Sequence, residues 1–134
     1  MSMAIMVGAD LSDTDLMASD MRGVNLMKAV LRKANMRWVN MSGLNLKDKD
    51  GNDIGKVWQS DLTQADFTAV NLTNANMRDA KIAGANFTEG VSIKTDLVGC
   101  QIELATLDNA TMESVKLKST QKQNTKSFPM RTTG

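Results

Sequence analysis

The stretch Ala65-Asp66-Phe67-Thr68-Ala69-Val70-Asn71-Leu72-Thr73-Asn74-Ala75-Asn76-Met77 decides how the whole 134-residue chain is read. Its large apolar residues, Phe67, Leu72 and Met77, stand five apart. The same spacing extends upstream through Val57 and Leu62 and downstream through Ile82, Phe87, Leu97, Ile102, Leu107, Met112 and Leu117, with Ser92 as the one polar member. Further upstream, after a slip of one residue, it runs through Met6, Leu11, Leu16, Met21, Leu26, Leu31, Met36, Met41 and Leu46. Two residues before each of these lies a small or β-branched one, Leu44 excepted: Ala4, Ala9, Thr14, Ser19, Val24, Ala29, Ala34 and Val39, then Gly55, Ser60, Ala65, Val70, Ala75, Ala80, Ala85, Gly90, Thr95, Cys100, Ala105, Ala110 and Val115. Between the two columns sit short polar side chains, among them Asp10, Asp15, Asp20, Asn25, Asn35, Asn40, Asp61, Asp66, Asn71, Asn76, Asn86 and Asp96.

Neither a helix, with a period of 3.6, nor a strand, with a period of 2, produces this spacing. A short extended piece followed by a corner does. Asp and Asn suit corners because their side chains bond nearby backbone groups. A single pentad cannot bury its apolar residue, so pentads must wind into stacked coils whose backbones pair at roughly 4.8 Å. The columns of large and small residues are expected inside this tube, and the remaining positions outside.

Ala9-Asp10-Leu11, Ala34-Asn35-Met36, Ala65-Asp66-Phe67, Ala75-Asn76-Met77 and Ala85-Asn86-Phe87 resemble the unit of the pentapeptide-repeat family. The resemblance implies an all-β fold, a right-handed quadrilateral β-helix with four pentads per coil. The expected organisation is a β-helix over 1–117, interrupted by a loop insert at 47–56, and a basic non-repeat tail at 118–134. The middle column departs from the family pattern at Val30, Lys81, Val91, Gln101, Thr106, Thr111 and Lys116, which predicts less regular late coils.

The insert holds Asp48, Asp50, Asn52 and Asp53, four oxygen-bearing side chains that raise the question of a metal site. Gly51 comes too early for a calcium loop, no Glu follows at its twelfth place, and three lysines compete for the carboxylates. A solvated turn is the expectation, with no metal and no cofactor. Trp38 and Trp58, the only tryptophans, flank the insert at outward positions. They either cover the base of the loop or anchor a partner, since Trp is enriched among binding hot spots. The tail carries Lys118, Lys122, Lys126 and Arg131 without an acid, and Phe128-Pro129-Met130 offers an apolar plug for an open coil end. Trp38, Trp58, Asp50, Asn52, Lys122, Lys126, Phe128 and Met130 are therefore the expected protein-binding residues.

Composition narrows the function. Sixteen Lys and Arg against fifteen Asp and Glu leave a formal charge of +1, which gives no electrostatic reason to expect nucleic acid or an anionic membrane. With no His and one Cys, a His-based triad, imidazole acid–base chemistry and a disulfide framework are all excluded. No apolar run approaches the roughly 20 residues of a membrane span, and the N-terminus lacks the charged start of a signal peptide. The expected protein is not an enzyme. It is a structural or interaction module contacting a protein partner or copies of itself, in the cytoplasm or within a larger assembly such as a virus particle. The family resemblance supplies one alternative, a DNA mimic binding a type II topoisomerase (gyrase). That mechanism needs a rod dense in negative charge, and this chain is near neutral.

Overall fold

The computed structural model describes residues 3–101, 105–117 and the backbone of the short strand at 130–131. Ile5 pairs with Asn25, Asp61 with Lys81, and Asp10 with Val30, all in parallel and twenty residues apart. Four pentads therefore close one coil. The fourth side shows five levels, from Asp20 through Asn40, Asn76 and Asp96 to Lys116. Each level is joined to the next by a repeated pair of bonds: the Asn25 N–H donates to the Ala4 carbonyl at 2.9 Å, and the Met6 N–H to the Asn25 carbonyl at 2.7 Å.

The corners follow one rule. The amide of the small residue donates to the carbonyl of the preceding large one, as from Ala9 to Met6 at 3.1 Å. The residue just before the small one takes φ near +60°: Asp13, Ala18, Lys28, Lys33 and Trp38 above the insert, and Gln64, Ala69, Asn74, Asp79, Glu89, Lys94, Asn109 and Ser114 below it. A left-handed non-glycine residue costs about 1–2 kcal/mol. The middle column offsets that cost. Carboxylate and amide oxygens of Asp10, Asn25, Asp61, Asn71 and Asn86 accept the N–H two residues on, at 2.9–3.1 Å. At Val91 and Thr111 pairing lengthens into β3 (Val91–Ile93) and β4 (Thr111–Glu113).

Inside, the columns stack on themselves. The Phe67 and Phe87 rings lie 5.0 Å apart and 7° from parallel, one coil below the other. Met21, Leu26, Leu31, Met36, Met41, Leu62, Leu72 and Met77 are fully buried. Ser92 is buried in the same column, and its small side chain leaves a void of about 10 Å³ bordered by Phe87, Leu97 and Met112.

The insert is larger than the loop read from sequence. Asn25 pairs with Asp61 and Asn40 with Asn76, offsets of 36 where the coil requires twenty, so sixteen residues leave the tube. They form an antiparallel hairpin of β1 (Leu44–Lys47) and β2 (Asp53–Trp58), with Leu44 opposite Trp58 and Asn45 opposite Val57. Leu44, Leu46, Gly55 and Val57 therefore do not belong to the inward columns, and Val57 is 55% exposed. Sixteen is three pentads and one residue, so to the repeat frame a hairpin looks like a slip of one. The tail reading over 118–129 and 132–134 lies outside the described residues, and with it Lys122, Lys126 and Phe128. Met130 and Arg131 form β5, whose backbone runs parallel to Met112 and Glu113 of β4 and adds a sixth level on one side.

Candidate interaction surface

The hairpin leaves and re-enters at the corner occupied by Gly23, one coil above. Ser60, fully buried, ties the junction: its hydroxyl accepts the Gly23 N–H at 2.9 Å and lies 3.3 Å from the Ser42 carbonyl, to which it donates. A Cβ on Gly23 would come within 2.8 Å of Trp58 Cδ1, and one on Gly43 within 2.3 Å of Val57 Cγ1. Gly23 leaves room for the hairpin base on the tube, and Gly43 leaves room for Val57 within the hairpin. Trp58 is thus held on one side while half of its surface faces solvent. Every residue of β2 is exposed, Ile54 and Val57 included.

Beside this base run two adjoining hollows of about 380 and 260 Å³, which share Gln59 and Lys81. Trp58, Asn25 and Asp61 border one, and Thr63, Asp79 and Gln101 the other. Gln59 spans the wall, its side-chain amide donating to the Asp79 carbonyl at 3.0 Å. The result is a groove of mixed polar and apolar lining with one aromatic edge.

At the hairpin tip the acidic residues are used locally. Asp48 Oδ1 accepts the N–H groups of Asp50 and Asn52, both at 2.9 Å, and these bonds, that of Asn52 foremost, hold its carboxyl below the ordinary carboxylate range. Asp53 Oδ1 accepts the Gly55 N–H at 2.8 Å, and its other oxygen lies 3.8 Å from Lys47 Nζ. Among the described residues no three acidic or thiol side chains converge on a metal position. Asp50 and Asn52 are exposed tip residues.

Trp38 is 58% exposed, but it belongs to a different corner, where its N–H donates to the Thr73 carbonyl at 2.9 Å. The two tryptophans do not share the hairpin base, because the sixteen-residue excursion separates neighbours that sequence places together. Met130 is placed by its backbone pairing alone. The signal that sequence reading passed over is Gly23, whose missing side chain receives Trp58.

Charge is layered by coil. Residues 3–21 hold Asp10, Asp13, Asp15 and Asp20 with no base, and residues 22–46 hold Arg22, Lys28, Arg32, Lys33 and Arg37 with no acid. Arg22 clasps Asp20 through two bonds of 2.8 Å, which lowers the Asp20 carboxyl to about 2. Cys100, in the small inward column, is pushed up to about 12 by burial, and its thiol donates to the Met77 carbonyl at 3.0 Å.

The family pattern of pentapeptide repeats matches residues 9–48 and 57–89, more than half of the chain, in eight copies. Among solved structures, a pentapeptide repeat protein from the thylakoid lumen of Arabidopsis thaliana is 21% identical, with a TM-score of 0.64 over 90% of this chain and 76% of that one. HetL, a pentapeptide repeat protein involved in heterocyst differentiation regulation in a Nostoc cyanobacterium, is 22% identical over 88% of this chain and 65% of its own, with a TM-score of 0.27. Full-length QnrB1, a plasmid-mediated fluoroquinolone resistance protein, is 14% identical over 98% and 66%, with a TM-score of 0.33. The first likeness shows the fold, and the other two superpose too loosely to argue from. No curated protein matches the chain in sequence.

Proposed function

The chain belongs to the pentapeptide-repeat family, non-catalytic proteins that work through contacts with other proteins, and from that premise we propose that it is a rigid interaction scaffold whose hairpin, with Trp58 at its base, engages a protein partner. One observation carries this reading. A hairpin of two strands is marginal by itself, yet this one is fastened to the tube through the Ser60–Gly23 bond and the seat Gly23 leaves for Trp58, while β2 keeps Ile54, Val57 and Trp58 about half exposed. Exposed apolar area that a chain does not use for its own folding is available for a partner. A fixed aromatic anchor is typically worth at least about 2 kcal/mol at a binding hot spot. Membership of a larger assembly, a virus particle among them, is a finer form of the same proposal.

The test is crosslinking from a photoreactive residue at position 54, with Trp58→Ala as control. A discrete crosslinked partner that Trp58→Ala loses supports the hairpin. A partner captured equally well by Trp58→Ala moves the contact to another face.

The topoisomerase reading has one observation in its favour, the four outward carboxylates of the first coil. The five cations of the next coil interrupt that acidic surface at once. Saturable inhibition of gyrase supercoiling at submicromolar protein would establish it, and no inhibition removes it.

A further inference from the structure

One of the two sides of the tube that do not border the hairpin corner carries charges in a self-complementary sequence. Call the third corner the stack Asp13, Lys33, Ala69, Glu89 and Asn109, and the fourth the stack Ala18, Trp38, Asn74, Lys94 and Ser114. Between them lie Asp15, Asn35, Asn71, Val91 and Thr111, paired level to level. The first level of this flat face is acidic (Asp13, Asp15), and from the second level down it reads as a cationic row (Arg32, Lys33, Arg37), an uncharged row (Thr68, Asn71, Thr73), a mixed row (Glu89, Lys94) and an acidic row (Asp108, Glu113).

We propose that this face docks a second copy of the chain, antiparallel and side by side. A two-fold axis lying in the contact plane, perpendicular to the tube and midway between the third and fourth levels, maps level two onto level five while keeping each corner opposite itself. Arg32 and Lys33 of one copy then face Asp108 of the other at the third corner, and Arg37 faces Glu113 at the fourth. Both contacts occur twice, as an isologous interface demands. At the centre, the uncharged third row meets the mixed fourth row, so no like charges stand directly opposite.

Charge complementarity argues for a second copy over another partner, because the order of rows from the second level to the fifth matches its own reverse. Arg32 also reaches Asp66 of its own chain at 3.7 Å, which leaves Lys33 as the chief cation at the third corner. Lys33, Arg37 and Asp108 are exposed, and among the described residues no ion pair within 4 Å reaches Lys33 or Arg37. Trp38, 58% exposed beside Arg37, is covered in the dimer. Four levels at about 4.8 Å make a contact about 20 Å tall, the size of a weak association rather than a permanent one. Its strength should fall with salt, since rim charges supply much of the attraction.

Sedimentation velocity of the full chain across micromolar concentrations, at low and high salt, is the first measurement, with a Trp58→Phe background so that Trp38 alone reports. A concentration-dependent monomer–dimer equilibrium, weakened at least tenfold by high salt and accompanied by a blue shift of Trp38, is expected. The decisive arm uses two charge-reversed proteins, Lys33→Glu with Arg37→Glu, and Asp108→Lys with Glu113→Lys. Each alone should remain monomeric with an unchanged circular dichroism spectrum, and an equimolar mixture should form heterodimers. If either pair disturbs folding, Thr73→Arg in the middle of the face serves instead and should abolish the dimer. A chain that is monomeric throughout, a dimer indifferent to these changes, or a mixture that fails to associate overturns the proposal.

Discussion

Deleting residues 43–58 should leave a folded tube. The excursion is the whole difference between the 36-residue offset at Asn25 and Asp61 and the regular twenty, so its removal joins Ser42 to Gln59 in frame. The new sequence, Val39-Asn40-Met41-Ser42-Gln59-Ser60-Asp61-Leu62, has a small, a polar and a large residue in each required place. Replacing a sixteen-residue closure by a tight corner returns (3/2)RT ln 16, about 2.5 kcal/mol, of chain entropy. Against this, Gln59 must take the left-handed corner conformation at about 1–2 kcal/mol, and the packing of Trp58 on Gly23 is lost. The terms nearly cancel, so stability should change by no more than about 2 kcal/mol, a shift in Tm of about 8 °C at most for a domain of this size. Urea unfolding followed by circular dichroism reads the change. A deletion of equal length inside the repeat, 62–77, is the control: it places Arg78, Ala83 and Thr88 in the large column and should abolish cooperative unfolding. If the 43–58 deletion fails to fold, or the 62–77 deletion folds as well as the parent, the hairpin is not a separable excursion and the coil assignment is wrong.

Leu72→Ala, in the fully buried column, should cost about 2–5 kcal/mol, whereas Thr73→Ala, on the outer surface, should cost less than about 1 kcal/mol; equal losses in urea titrations would contradict the inward and outward assignment. Gly23→Ala should displace Trp58 without unfolding the tube, seen as a red shift of its fluorescence in a Trp38→Phe background. Cys100, raised to about 12 by burial, should resist thiol reagents at pH 8 until urea opens the tube, and rapid labelling of the native protein would refute its burial. Asp20, lowered from 3.8 to about 2 by Arg22, contributes stability above its ordinary value and loses it as pH falls toward 2; Asp20→Asn should therefore flatten the acid-unfolding profile across that window.

The repeat was readable residue by residue because each pentad is a local solution. Asp66 receives the Thr68 N–H two residues away, and Val70 bonds back to Phe67 three residues away, whatever the rest of the chain does. The insert was readable only in part. Asp48, Gly51 and Asp53 announce turns, but nothing in their neighbourhood says that Leu44, Leu46 and Val57 prefer a hairpin to the columns whose spacing they share. That preference comes from the hydrogen bond between Ser60 and Gly23 and from the room Gly23 leaves for Trp58, contacts that span 37 and 35 positions. The same separation explains why Trp38 and Trp58 looked like one anchor and occupy two corners.

From sequence alone come the β-tube, its inward columns, the role of Asp and Asn at the corners and the unsuitability of the chain for His-based catalysis. These are matters of period and composition, and a period of five admits one way to bury apolar residues and pair the backbone. Which residues leave the tube, which corner they leave from and which charges come to share a face were decided by tertiary structure. Coil stacking sets residues twenty apart side by side, and a sixteen-residue excursion turns that twenty into 36 for one turn of the chain only. Arg37 and Glu113 belong to one face for that reason, and no local pattern records it.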